Sequence, residues 1–204
     1  MDYSKPVSDD VLLKTAEAVR KRNISVEIVS SRVAALQFIE KTVPPGSSVF
    51  NGSSTTLGDI GYTSLLESGD HRWKNLHAEI FAENDQMKRA DLRRKALTDA
   101  DYFLSSVNAI TEAGELVACD NTGSRVGAFP FAAKKLLLIV GANKIVPTLA
   151  DAMKRIKEYV MPLEDKRMMK MYSMHTAIGK WVIVEREAIP QRTTLVLVKE
   201  ALGF

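Results

Sequence analysis

The 204-residue chain has a single cysteine, Cys119. An intrachain disulfide and a cysteine metal cage are therefore excluded. No apolar stretch approaches the ~18 residues a membrane span needs; the longest, Leu136 to Val140, is a strand's length. The first residues, Met1-Asp2-Tyr3-Ser4-Lys5, lack the basic start and apolar run of a secretory signal. The net charge of +3 is too small to point to nucleic acid. The densest basic patch, from Lys88 to Lys95, has Asp85 and Asp91 beside and within it and no interleaved aromatics, as expected of the wet face of a helix. These absences leave a cytoplasmic globular protein without a membrane or nucleic-acid role. Nothing suggests a linker or a repeat, so one domain spanning 1–204 is expected.

Periodicity supplies the elements. Ser8 to Arg22 carries apolar residues at helical spacing, with Ser8 as N-cap. Ser25 to Val29 reads as a strand, and Ser31 caps a helix over Val33 to Lys41 that Pro44-Pro45-Gly46 stops. Ser48 to Gly52 is the next strand. Helix and strand in alternation are the grammar of a parallel sheet. A periodic segment runs through Leu65 and Leu66, whereas Gly69 to Asn84, with His71, Trp73 and His77, reads as irregular. Asn84 to Ala100 is a charged helix, and Tyr102 to Ser106 and Glu115 to Cys119 are strands. Leu136 to Val140 has the continuous apolar character of a buried parallel strand. A helix is expected from Thr148 to Tyr159, ended by Met161-Pro162. Two alternating runs, Trp181 to Glu187 and Thr193 to Lys199, make the C-terminal part β-rich. The expected class is α/β, a mainly parallel sheet with helices on both faces.

Three segments concentrate polar chemistry. In Asn51-Gly52-Ser53-Ser54-Thr55 a glycine between strand and helix lets the backbone approach an anion, and hydroxyls and N–H groups could hold it; the same residues could simply cap the helix. No Walker loop and no dinucleotide fingerprint is present, and no cofactor is expected. In Asn108 to Arg125, the polar residues Asn108, Thr111 and Glu112 follow one strand, and Asp120, Asn121, Thr122, Gly123 and Arg125 follow the next. Ligands of open parallel sheets bind beyond the carboxyl ends of strands, so the two clusters could converge; alternatively Gly114 and Gly123 mark turns whose polar residues satisfy the backbone. Lys144, in Gly141-Ala142-Asn143-Lys144, either meets an anion or is a solvated lysine ahead of a helix.

The order of these segments, with Leu195 to Phe204 after them, resembles the LUD-domain family, whose members are often called lactate-utilisation proteins. The resemblance runs from about Ser31 onward. It implies a fold similar to the group of ribose-phosphate isomerase, glucosamine-phosphate deaminase and the CoA-transferases. By position in that group, Gly52 to Thr55 would hold an anionic end of the substrate, Glu112 would do acid–base work and Lys144 would complete the site. Fold does not fix reaction. The chain departs from many members by having no cysteine cluster near its C-terminus: the comparable stretch is Ser173 to Trp181, where His175 alone makes no metal site. No metal is expected, and Met168, Met169, Met171 and Met174 are read as adaptable packing.

Two functions follow. One is an enzyme acting on a small anionic metabolite such as a hydroxy acid, a sugar phosphate or a CoA ester. Glu112 would then be the catalytic group, with Arg125 and Lys144 holding carboxylate or phosphate. Asn108 and Asp120 would orient them. The other is a non-catalytic accessory subunit or ligand sensor, partnering iron–sulfur protein subunits in a lactate-oxidising type of assembly. A homodimer is compatible with either.

Overall fold

The computed structural model describes residues 1–204. Six strands form the larger sheet: β1 (Ser25–Val29), β2 (Ser48–Asn51), β3 (Lys74–Asn75), β4 (Tyr102–Ser105), β7 (Leu136–Gly141) and β10 (Thr193–Val198). Their order is β1-β10-β7-β4-β2-β3, and every neighbouring pair is parallel. All six residues of β7 are buried, as its continuous apolar run predicts. One face is covered by α1 (Asp9–Lys21), α5 (His77–Ala82) and α6 (Gln86–Asp99), which contribute Leu12, Ala16, Val19, Ile80 and Ala96 to the largest core cluster. The other face is covered by α2 (Arg32–Thr42), α3 (Thr55–Asp59) and α4 (Tyr62–Ser68), through Ala35, Ile39, Leu57 and Tyr62. The architecture is thus the expected α/β one, with helices on both faces. Ser8 and Ser31 cap α1 and α2 as anticipated, accepting from the N–H groups of Val11 and Ala34.

A second sheet carries the site. It contains β5 (Ala109–Thr111), β6 (Leu116–Asp120), β8 (Ile145–Val146) and β9 (Lys180–Val184), in the order β8-β5-β6-β9. The hairpin β5–β6 is antiparallel, as is β6–β9, while β5 and β8 are parallel. Two neighbouring central strands pass directly into this sheet. Chain leaving β4 crosses through Ser106-Val107-Asn108 to β5, and chain leaving β7 crosses through the 3-10 turn Ala142–Lys144 to β8. The two connectors therefore run side by side at the carboxyl ends of the main sheet.

Three expectations are corrected. Gly69 to Asn84 is not irregular throughout: it holds β3 and α5. The helix beginning at Leu149 does not end at Met161-Pro162. It runs as α7 (Leu149–Arg155), a π-helical turn over Ile156–Val160, and α8 (Met161–Tyr172). The wider turn just before Pro162 offers room where the missing N–H and the proline ring would otherwise break an α-helix. Finally, the methionine cluster packs only in part: Met168 is half-buried, whereas Met169 and Met171 on α8 and Met174 just after it are exposed.

Candidate functional site at the junction of the two sheets

Three basic side chains, the buried Lys144 and Arg155 and the half-buried Arg125, converge on Ser106-Val107-Asn108. Arg125 donates from Nη1 to the Ser106 carbonyl (2.7 Å) and from Nη2 to the Cys119 carbonyl (2.6 Å) and Asn108 Oδ1 (3.2 Å). Lys144 Nζ lies 2.8 Å from Thr56 Oγ1, 3.1 Å from Ser106 Oγ and 3.3 Å from the Val107 carbonyl. Arg155, from α7, donates to the Asn108 carbonyl at 2.6 Å, and its guanidinium lies over the rings of Tyr3 and Tyr159. Every hydrogen-bond acceptor of these three heads is neutral. Two nitrogens of Arg155, Nε and Nη2, have no hydrogen-bond partner.

The nearby carboxylates are engaged elsewhere. Asp120 accepts from the backbone N–H groups of Arg125 and Val126, Asp59 accepts from the Gly203 N–H, and Glu164 pairs with Arg167 on α8. Burial and the absence of a paired anion act on the bases. Lys144 is 2% exposed, and burial, with Arg155 and Arg125 nearby, holds its amine well below the ordinary lysine range. Burial likewise lowers Arg125, and brings Arg155 down to about 10. The Cys119 thiol is pushed up to about 11 by burial, which makes it a poor nucleophile at neutral pH.

Lys144 Nζ donates to all three of the oxygens around it, and no carboxylate is among them.

The Gly52 loop and the segment after β10 close the site. A Cβ on Gly52 would lie 2.4 Å from Arg125 Cγ, so only glycine lets the loop rest on the arginine stem. Ser54 caps α3, accepting from the Leu57 N–H; Ser53 is exposed, with Arg167 Nη2 3.5 Å from its hydroxyl. Residues 199–204 then cross the junction as a strap. Asn143 Oδ1 accepts from the Leu202 N–H, and a Cβ on Gly203 would stand 2.4 Å from Thr56 Oγ1 and 2.9 Å from Thr55 Oγ1.

Of the residues predicted from sequence, the structure brings together Gly52, Thr55, Asn108, Asp120, Arg125 and Lys144. Asn121 and Thr122 are exposed in the turn after β6, Gly123 takes a left-handed φ of +89° there, and Lys180 donates to the Asn121 carbonyl. The expected convergence of Thr111 and Glu112 with Arg125 is corrected. They leave β5 at the end opposite Asn108, roughly 10 and 13 Å along the strand at ~3.3 Å per residue. Thr111 there binds Glu115, and Glu112 is exposed with its N–H on the Val146 carbonyl. The reason is topological: β6 is the return strand of an antiparallel hairpin, so its carboxyl end meets the start of β5 and not its end. Thr56, Ser106, Asn143 and Arg155 were missed. The first three sit at strand or helix ends and read as turn or cap residues, and Arg155 reads as a solvated helix residue.

Cations gathered where strands of a parallel sheet end define an α/β protein with a candidate anion site at its sheet junction. Residues 12–198 match the LUD domain family, and the chain belongs to it. No curated protein matches. Among solved structures, the chain is similar to the crystal structure of a DUF162 family protein from Deinococcus radiodurans, with a TM-score of 0.56 and 11% identity over 95% of this chain and 99% of that one. At that identity the likeness is one of fold.

Proposed function

We propose that the chain binds a small anionic metabolite, carrying a carboxylate or a phosphate, at the junction between the Gly52 loop, Arg125 and Lys144. One observation carries this reading: the half-buried guanidinium of Arg125, the buried one of Arg155 and the buried amine of Lys144 meet on three consecutive residues, and none has an acidic hydrogen-bond partner. A buried charge without a paired anion costs several kcal/mol, and an anionic ligand would offset that cost. Arginine offers a planar fork for two oxygens, lysine a single point. The family's association with lactate utilisation is consistent with a hydroxy acid, and sugar phosphates and CoA esters carry the same charged groups. Glu112 lies far from these cations, so the reading needs no acid–base role from it.

The test is a thermal-shift and calorimetric screen with hydroxy acids, sugar phosphates and CoA esters. A ligand at ~100 times its dissociation constant adds about 2.7 kcal/mol, or roughly 5–10 °C for a chain of this size. Arg125→Met should remove the shift. Retention of the full shift in that variant, or no shift with any of these ligands, would sink the proposal.

A second reading, as an accessory subunit, is favoured by α8. Met169, Met171, Tyr172 and Met174 are exposed along and just after one helix, an arrangement that suits contact with another protein. Replacing Met169 and Met171 by glutamate should abolish co-purification with iron–sulfur subunits if this face is used, and leave the thermal shift unchanged.

A further inference from the structure

We propose that Lys144 condenses with the carbonyl group of a 2-oxo acid, whose carboxylate Arg125 holds, to form an imine. The proposal rests on the anion-binding reading and names its substrate class.

A lysine that forms imines must present an unprotonated nitrogen, be near a group that orients the carbonyl compound, and have a proton donor for the departing oxygen. Each requirement has a residue. Thr56 Oγ1, Ser106 Oγ and the Val107 carbonyl surround Nζ with neutral oxygens and no carboxylate to hold its proton, which favours the neutral amine. Burial beside two guanidinium groups favours the same neutral state. Arg125 and Lys144 both bind Ser106, one at its carbonyl and the other at its hydroxyl. In a 2-oxo acid the carboxylate and the carbonyl carbon are directly bonded, so a compact molecule can be held by one group and attacked by the other. Thr56 and Ser106 stand at 2.8 and 3.1 Å from the amine as hydroxyl donors.

The step balances without a further reagent. The Nζ lone pair attacks the carbonyl carbon and a C–N bond forms. Both amine protons pass, through the hydroxyls, to the former carbonyl oxygen, which leaves as water. Amine and 2-oxo acid become imine and water. The imine then draws electrons from the adjacent carbon, which is what makes such lysines useful in bond-making and bond-breaking there.

Access is controlled by the strap. Lys144 is 2% exposed, and Gly203 sits on Thr56, so the acid enters only when residues 199–204 lift. A side chain at position 203 cannot coexist with Thr56 Oγ1 in this geometry, because its Cβ would lie 2.4 Å away. Gly203→Val therefore holds the strap off.

The experiment is reductive trapping at pH 7 with glyoxylate or 2-oxobutyrate and borohydride, read by peptide mass spectrometry on the full chain. The exposed lysines Lys88 and Lys154 serve as internal controls. The expected result is one adduct per chain on Lys144, at least about tenfold above Lys88 and Lys154. Lys144→Met should give none, Arg125→Met should give much less, and Gly203→Val should trap faster than the parent with the same selectivity. An adduct on Lys144 in Gly203→Val alone still supports the proposal. Absence of a selective adduct in both proteins overturns it. If the same acids then still raise the melting temperature, the anion-binding reading stands while the imine fails; if they do not, both fall.

Discussion

An amine out of water loses its preference for the proton, and Lys144 turns that loss into a dependence of stability on pH. Its folded pKa lies below the unfolded value near 10.5. Between the two, the unfolded chain binds the proton and the folded one does not, so stability rises with pH through that window and falls as pH drops toward the folded value. Lys144→Met removes the titration. The stability of the parent minus that of this variant should therefore increase from pH 7 to pH 10 in urea denaturation, and a flat difference would show that the amine is protonated throughout. Arg125 cannot substitute for it, since its guanidinium remains charged over the same range. The sequence showed the presence of Arg125 and Lys144 beyond strand ends. It did not show that they share Ser106, because a serine closing a strand looks the same whether it meets water or two cations.

Among the elements, the β5–β6 hairpin is where reading the sequence fell furthest from the structure. The strands β1, β2, β4 and β7 and the helices α1, α2 and α6 were legible, because apolar periodicity and serine or proline boundaries mark them. The three residues of β5 are too few to show a period, and the segment around them looks like a polar loop. Yet all three are buried. Missing that strand made β6 seem a second parallel strand, and placed Glu112 on the wrong side. The hairpin tip has its own constraint: Gly114 has φ +97°, and a Cβ there would meet the backbone of Ala18 at 2.8 Å. Gly114→Ala combines a strained conformation with a clash against helix backbone that cannot yield. It should cost about 2–4 kcal/mol. Gly46→Ala, at φ +80° but in open space, should cost only about 1 kcal/mol. Equal losses in denaturant titrations would mean that the contact with α1 adds nothing. The long helix was cut short for a similar reason: Pro162 is a breaker in any local reading, and only the π turn before it accommodates the ring.

At the scale of the molecule, two sheets meet at one seam, and a buried ion pair ties the opposite end of the main sheet. Arg192 binds Glu187 at 2.7 Å and also donates to the carbonyls of Ala128, Phe129 and Ala133. Both side chains are under a tenth exposed, at 6% and 8%. Arg192→Met strands a buried carboxylate and three carbonyls, and should lower the unfolding free energy by about 3–5 kcal/mol. Urea titration checks this, and a loss under 1 kcal/mol would mean that water takes the place of the guanidinium. No helix is long and apolar enough to cross a membrane.

The position of β10 has a consequence for how the molecule comes into being. It is the tenth strand in sequence yet lies between β1 and β7, one strand in from the edge of the larger sheet. During synthesis β1 leaves the ribosome early and has no hydrogen-bonded strand partner until residues 193–198 emerge. Until then β1 is an unpaired strand, a state in which strands pair wrongly or recruit strangers. Closing the sheet pairs Ser25 with Thr194, 169 positions apart, which makes it slow. The strap that follows β10 directly crosses the junction over Lys144, so inserting this strand also covers the amine.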